Sequence, residues 1–329
     1  MNLVVIGTSR ITEMFISAAL QTRQIRFLGT CSRSSAKAEA MNIKFGAERT
    51  YSDIDEVIAD EDVDIVYIAS PNSLHYPQTK KALLAGKHVI SEKPIVSNIR
   101  EIDDLIEISK TASGMLFEGI TTLHLPGMEI IRQHLSMLGK ISIISTEFNT
   151  LSGKYQHYLQ GKDPNELSLK FSGSTLVDLG IYNIYFVMLL FGMPMNVRYF
   201  ANKGISGVDL SGALIMQYED KIAVAVVAKD NPGDNRTLIQ GENGYIKVNG
   251  YVNTLSSIEI VCKGERFEFF VPNYPNHMRH ECEAMFDCMT RNDRQLMFDW
   301  LNLSRSVTEI LDIARKDAGI VFAADKNDD

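Results

Sequence analysis

The chain has 329 residues, with 33 Lys+Arg against 41 Asp+Glu for a formal net charge of −8, and 45% hydrophobic against 22% charged residues. That length suggests two domains, and the balance is that of a chain able to bury a sizeable core, not of a disordered one. The negative charge argues against a general nucleic-acid binder with a basic stripe and against a protein held to anionic lipid. No run approaches the ~18 apolar residues of a membrane span. The start, Met1-Asn2-Leu3-Val4-Val5-Ile6-Gly7, lacks a basic n-region and reads as a strand entering a glycine turn, not as a signal peptide. Cys31, Cys262, Cys282 and Cys288 are too few in a chain this long for a disulfide framework. The expectation is a soluble cytoplasmic protein.

The first 120 residues alternate two periods. Leu3–Ile6 is a short apolar run, followed by Ile11, Met14, Phe15, Ala18 and Ala19 at helical spacing. Then come a strand (Ile25–Cys31), a helix (Ser34–Phe45), a short helix around Ile54 and Val57, and the buried strand Val63–Ala69. A helix (Tyr76–Ala85), a strand (His88–Ile90), a helix (Ile99–Thr111) and a strand (Met115–Glu118) complete the series. Apolar strands separated by helices imply right-handed crossovers and a parallel sheet covered on both faces. This predicts a doubly wound Rossmann domain over residues 1–120.

Beyond residue 121 the pattern changes. One helix is predicted over Leu176–Phe191, and the strand-like runs are Ile141–Asn149, Val197–Asn202, Gly212–Tyr218, Ile222–Lys229, Arg236–Gln240, Tyr245–Val248, Ile258–Val261 and Phe267–Val271. Turn residues such as Asn231-Pro232-Gly233-Asp234 and Glu242-Asn243-Gly244 divide them. Two helices, His277–Met289 and Leu303–Ala318, close the chain. Residues 121–329 are therefore expected to form an α+β domain with a large, mostly antiparallel open sheet. In the strand from Ile222, the residues Ile222, Val224 and Val226 face one way and Ala223, Ala225 and Val227 the other. Both faces are apolar. Helices cover one, and the expected cover for the other is a second copy, giving a homodimer or homotetramer through this sheet.

Strand, then Gly7-Thr8-Ser9-Arg10-Ile11-Thr12, then helix is the context of the dinucleotide fingerprint G-x-G-x-x-G/A. Gly7 fits the tight turn, Ser9 stands at the second glycine position and Thr12 at the third. One glycine in three is weak alone, and a strand–helix turn without a ligand stays open at this point. The second strand ends in Cys31-Ser32-Arg33-Ser34, without the carboxylate that would hold free ribose hydroxyls. A guanidinium flanked by hydroxyls suits a 2′-phosphate, so NADP is modestly favoured over NAD, unless Arg33 is only a solvated helix-start residue.

Three further segments are Ala69-Ser70-Pro71-Asn72-Ser73-Leu74-His75, Glu92-Lys93-Pro94, and Gly173-Ser174-Thr175-Leu176-Val177-Asp178-Leu179-Gly180-Ile181-Tyr182. With the first turn they resemble the Gfo/Idh/MocA family, which includes glucose–fructose oxidoreductase, inositol dehydrogenases and dihydrodiol dehydrogenases. The resemblance spans nearly the whole chain. It implies NAD(P)-dependent oxidoreduction of sugars, polyols and related small alcohols. It also implies cofactor contacts from the first turn, the Ser32–Ser34 group, Ser70, Pro71, Asn72, His75, Glu92, Lys93 and Pro94. Lys93 matches the family's active-site lysine, while Asp178 and Tyr182 match its Asp and His/Tyr pair. Many members carry His where this chain has Tyr182.

The residues read the same way by themselves. Lys93 follows a parallel strand, and ligands bind outside the carboxyl ends of such strands. Asp178 and Tyr182, four apart on a predicted helix, share a face. An ammonium, a phenol and a carboxylate beside a nicotinamide would polarise a carbonyl and relay the alcohol proton, with Lys93, Tyr182 and Asp178 as the catalytic group. Tyr182 also belongs to an apolar stripe with Tyr185, Phe186 and Leu189, so a core aromatic is the competing reading.

Other clusters are weaker. His277, His280, Cys282 and Cys288 match no established zinc spacing and read as a helix start with buried cysteines, so no metal is expected. Glu118 and His124 are candidates for a substrate cleft. His157 and Tyr158 read as loop residues, either covering the pocket or simply solvated. The leading expectation is an NAD(P)-dependent oxidoreductase acting on a secondary alcohol or ketone. The alternatives are a non-catalytic nucleotide-binding regulator, suggested by Ser9 and Thr12, and redox-assisted glycoside cleavage.

Overall fold

A computed structural model describes residues 1–326. In chain order its first elements are β1 (Asn2–Ile6), α1 (Arg10–Thr22), β2 (Arg26–Cys31), α2 (Ser35–Phe45), β3 (Arg49–Tyr51) and α3 (Ile54–Ala59). They continue with β4 (Ile65–Ile68), α4 (His75–Leu84), β5 (His88–Glu92), α5 (Ile99–Thr111) and β6 (Leu116–Gly119). There follow α6 (Thr121–His124), α7 (Pro126–His134), β7 (Ile141–Asn149), α8 (Gly153–Leu159) and α9 (Ile181–Phe191). Then come β8 (Asn196–Lys203), β9 (Asp209–Gln217), β10 (Ile222–Ala228), β11 (Arg236–Gly241), β12 (Gly244–Asn249), β13 (Ser257–Cys262), β14 (Glu265–Phe270), α10 (Met278–Arg291) and α11 (Arg294–Asp317). Among the described residues no helix is long and apolar enough to cross a membrane.

The chain divides into two compact units, residues 1–120 with 274–305, and residues 121–273 with 306 onward. This differs from the expected split into 1–120 and 121–329. Met278, Cys282, Met285 and Phe286 make one buried face on α10, and that face joins the core of the first unit. Asn276 fastens the segment ahead of α10 by donating from Nδ2 to the carbonyl of Met14, at 2.7 Å. An apolar stripe shows that a helix is buried, but not against which partner.

The first unit holds a six-stranded sheet in the order β3-β2-β1-β4-β5-β6, parallel throughout. Leu3, Val4 and Val5 are fully buried although they alternate faces, as a sheet covered on both sides demands. The strand order reverses between β1 and β4, which opens a crevice at their carboxyl ends. The strand β3 gave no apolar signal, because only Tyr51 of its three residues is buried. Arg49 guards that edge, its fork reaching Asp60 at 2.6 Å and Asp62 at 2.5 Å.

The second unit holds an eight-stranded sheet in the order β14-β13-β12-β11-β7-β10-β9-β8. All its pairings are antiparallel except β7 with β10, which run parallel. On β10, Ala223, Ala225 and Val227 are fully buried, whereas Ile222 stays 40% and Val226 38% exposed. Ile143 is the neighbour of Ile222, and Phe200 continues the row through Ala213 from Val226. One sheet face of the single chain therefore carries exposed apolar residues. The segment around His157 is a short helix, not a loop. His157 is exposed there, while Tyr158 packs with Leu167 and Val208 and shares a hydrogen bond with Ser206 at 3.0 Å.

Candidate active site

In the first unit the turn after β1 needs its glycine. Gly7 sits at φ +120°, and a Cβ there would stand 2.6 Å from the carbonyl oxygen of Ala69. Ser9 caps α1 in extended conformation, its Oγ accepting from Thr12 N at 3.5 Å and lying 3.2 Å from Thr12 Oγ1. Thr8 and Ile11 are half-buried and Arg10 is exposed at the start of the helix. A bare backbone turn at the N-terminus of a helix suits a pyrophosphate, so the residues fit a dinucleotide.

At the end of β2, Arg33 is exposed, and Ser32 is tied down as its Oγ accepts from Ser34 N at 3.2 Å. Sequence reading missed two acids near this corner. Asp53 and Glu56 add to burial in pushing the Cys31 thiol up to about 12. Both carboxylates are engaged locally, Asp53 capping α3 through Glu56 N and Glu56 accepting from Ser52.

The loops after β4 and β5 are joined by His75. Its ring is buried, with Nδ1 2.8 Å from the Pro94 carbonyl and Nε2 2.8 Å from that of Ser70. Burial holds the imidazole below its usual pKa, and the charge of Lys93 acts in the same direction. A neutral ring donates to only one of the two carbonyls at a time. His75 thus braces the turn bearing Lys93 against the Ser70–Asn72 loop, donating to one of the two backbone carbonyls that its ring nitrogens face. Ser70 Oγ donates to Gln78 at 2.7 Å, Pro71 and Asn72 are half-buried, and Pro94 follows a cis peptide bond. Lys93 is half-buried at the carboxyl end of β5, on the same sheet edge as Gly7.

Glu92, beside it, is buried, and Tyr67 Oη donates to its Oε1 at 2.5 Å. Burial raises the Glu92 pKa to about 7, against the lowering effects of the Tyr67 hydrogen bond and the Lys93 charge. Glu118 is buried on β6 and accepts from Ile95 N at 3.0 Å, behind the same turn.

The second unit carries Asp178 and Tyr182. The expected helix over Leu176–Phe191 begins as a π-helical turn, Leu176–Gly180, and continues as α9. Such wide turns cost helical hydrogen-bond geometry and concentrate at functional sites. Asp209 fixes its start, accepting from Thr175 N at 3.0 Å, from Leu176 N at 2.8 Å and from Tyr199 Oη at 2.7 Å. A carboxylate at a helix N-terminus complements its dipole. Asp178 pairs with Lys229 at 2.5 Å, the lysine side chain only 4% exposed and the carboxylate 25%. The Tyr182 ring stacks on Phe148, centroids 5.6 Å apart, yet the residue is only half-buried.

Lys229 and Asp209 were both missed in the sequence. Each sits at a strand end, and nothing local marks its distant partner. The structure brings the turn, the Ser70–His75 loop and Glu92-Lys93-Pro94 together on one edge of the first unit, and Asp178 with Tyr182 in the second. His124 is half-buried on α6 of the second unit. Cys282 and Cys288 are buried in the face of α10.

The sheet order and the turn define a dinucleotide-binding Rossmann unit joined to a second, sheet-rich unit. Residues 1–120 match the oxidoreductase family with an NAD-binding Rossmann fold, and residues 136–247 match the GFO/IDH/MocA C-terminal domain. The chain belongs to the GFO/IDH/MocA family, enzymes that act on CH–OH groups. It is 32% identical to an uncharacterized oxidoreductase, YgjR, of Escherichia coli, covering 98% of this chain and 97% of that one. It is 31% identical to the NADP-dependent scyllo-inositol 2-dehydrogenase IolU of Bacillus subtilis, covering 98% of each. The crystal structure of KijD10, a 3-ketoreductase from Actinomadura kijaniata in complex with NADP and TDP-benzene, superposes with a TM-score of 0.85 at 20% identity, covering 96% of this chain and 97% of that one.

Proposed function

We propose that this protein interconverts a secondary alcohol and a ketone on a sugar, polyol or diol, in the cytoplasm, with NADP preferred. The observation that carries this reading is Lys93 at the carboxyl end of β5, on the sheet edge where Gly7 keeps the dinucleotide turn bare. Relatives named for inositol and for trans-dihydrobenzenediol oxidation support the substrate class. Four buried cysteines, all free, support a reducing compartment.

Gly7, Thr8, Ser9, Arg10 and Ile11 hold the pyrophosphate, and Ser32, Arg33 and Ser34 the adenosine end. The bound nicotinamide supplies the redox chemistry. The Lys93 ammonium donates a hydrogen bond to the reacting oxygen and polarises it. Tyr182 moves the alcohol proton through its phenol oxygen, and Asp178, anchored by Lys229, orients Tyr182 or the substrate.

NAD(P)H absorbance with a panel of sugars and polyols tests the reading, and normal turnover by Lys93→Ala overturns it. Release of a sugar without net absorbance change selects redox-assisted glycoside cleavage instead. Arg33→Ala is expected to narrow the NADP-to-NAD affinity ratio about tenfold, the worth of one exposed charge-assisted contact. An unchanged ratio removes Arg33 as the selector.

The assembly is a homodimer or homotetramer closed by the outer face of the large sheet. Ile143, Ile222, Val226 and the 65%-exposed Phe200 support it, since an apolar strip of that kind gains by isologous burial. A monomeric mass by light scattering at micromolar concentration refutes it.

A further inference from the structure

The first unit buries more acid behind Lys93 than packing requires. Tyr67 and Glu92 lie on adjacent strands and on one sheet face, since Tyr67 pairs with Ile90 two residues before Glu92. Tyr67 is fully buried and stacked on Phe15, centroids 3.6 Å apart and planes within 4°, so its hydroxyl is held toward Glu92. Glu281 approaches from α10. It is 0% exposed, neither carboxyl oxygen has a hydrogen-bond partner, and it interacts electrostatically with both Glu92 and Tyr67.

Glu281 stands within the buried face of α10, between Met278 and Met285, where an apolar residue would avoid burying an unpaired polar group. A local rule broken without a packing gain marks a functional position. Several other ionisable groups face Glu92 and its neighbours. Glu118 from β6 adds negative charge, Lys93 adds positive charge, Cys282 lies beside Glu281 on α10, and His75 of α4 faces Lys93.

Two carboxylates in one dry region do not both ionise. Glu92 has a hydroxyl donor and an ammonium neighbour, whereas Glu281 has neither. Burial and the repulsion of Glu92 both raise the Glu281 pKa well above the ordinary carboxyl range. The proton therefore resides on Glu281 and the charge on Glu92.

We propose that Tyr67, Glu92 and Glu281 form one buried acidic unit behind Lys93, in which Glu281 stays neutral and the charge of ionised Glu92 holds Lys93 as the ammonium the reaction uses. All three are positioning residues. Tyr67 acts by donating to Glu92, Glu281 by staying neutral, and Glu92 by its charge on Lys93. This rests on the role given to Lys93 above, and the test separates the two.

Difference infrared spectroscopy of the full-length protein reads the carboxyls without any substrate. A protonated carboxyl band that persists at alkaline pH should vanish in Glu281→Gln. A second carboxyl, titrating near neutrality, should vanish in Glu92→Gln and move to higher pH in Tyr67→Phe. Loss of neither band on these substitutions overturns the assignment of charge, whether or not a substrate has been found.

In turnover, the alkaline limb of kcat/KM should move about one pH unit lower in Glu92→Gln, the effect of losing one close opposite charge. It should stay in place in Glu281→Gln, which keeps the neutral form. An unmoved limb in folded Glu92→Gln overturns the link to Lys93, and a moved limb in Glu281→Gln shows that Glu281 carries charge.

Discussion

Removing either partner of the Asp178–Lys229 pair should cost unequal amounts. Breaking a buried ion pair by deleting one member costs about 3–5 kcal/mol, because a charge is left without compensation. In Asp178→Asn the stranded group is the Lys229 ammonium, 4% exposed, which also donates to the Glu166 carbonyl at 3.4 Å. The full range applies. In Lys229→Met the carboxylate that loses its ion-pair partner is Asp178, 25% exposed, which water solvates in part. Methionine also keeps most of the aliphatic packing of the lysine stem. The expected cost is about 2 kcal/mol, below the buried-pair range for that reason. The double variant strands neither charge and should be less destabilised than the sum of the singles by roughly 1–3 kcal/mol.

Urea unfolding at neutral pH reads all three values, and kcat/KM measured in parallel reads the catalytic consequence. Lys229→Met should lower kcat/KM while leaving cofactor affinity unchanged, because Asp178 keeps its charge but loses its anchor. A Lys229→Met cost equal to or above that of Asp178→Asn, or a coupling near zero, would refute the argument.

Glu92→Gln should stabilise the protein above neutrality while impairing it. Its carboxyl pKa rises from 4.5 to about 7 on folding, so between those values the folded state holds a proton the unfolded chain has lost, and stability falls as pH rises. The burden at alkaline pH is about 3 kcal/mol, which the glutamine variant should recover in urea titrations on the two sides of that window, and an identical gain at both would refute it. Gly7→Ala should lose about 1–3 kcal/mol and weaken dinucleotide binding, since the methyl meets Ala69 O at 2.6 Å with φ at +120°. Calorimetric titration with NADP checks it, and undiminished affinity would remove the turn from the cofactor site. Asp209→Ala should cost about 3 kcal/mol or more by leaving three buried donors, Thr175 N–H, Leu176 N–H and Tyr199 O–H, without their acceptor, a loss that thermal unfolding will report. Asp209→Asn should recover part of that cost.

Legibility in the sequence followed the range of the forces involved. The helix over Ile99–Thr111 and the strand over Ile141–Asn149 were readable to the residue, because their signals lie in local period and in a cap such as Asn98. The short strand β3 was not, since a three-residue edge has no period. The helices α6, α7 and α8 were not singled out either. The return of α10 to the first unit was hidden because an apolar face does not name its partner. In the site, Lys93 and Tyr182 were visible through motif spacing. Asp209 and Lys229 were not, because each acts on residues far away in sequence. The π-helical turn at Leu176–Gly180 starts at the residues Asp209 clamps, and helical periodicity alone predicts an α-helix there.

The two departures from the glycine fingerprint bear on the choice between an enzyme and a fold kept without turnover. The fingerprint asks for glycine for separate reasons, a tight turn, close approach of the backbone and tight helix packing. Of the three fingerprint positions in this chain, only Gly7 sits at a positive φ that a side chain resists. Ser9 lies at φ −85° and ψ 170°, open to any residue and favourable for a hydroxyl cap. Thr12, fully buried, lies 3.2 Å from that same hydroxyl and donates its backbone N–H to it. Either substitution alone leaves a hydroxyl short of this partner, whereas together they close the first turn of α1. Independent decay of an unused site has no reason to produce a matched pair. Ser9 and Thr12 are thus a second solution to the same turn, and they weigh toward a cofactor site in use.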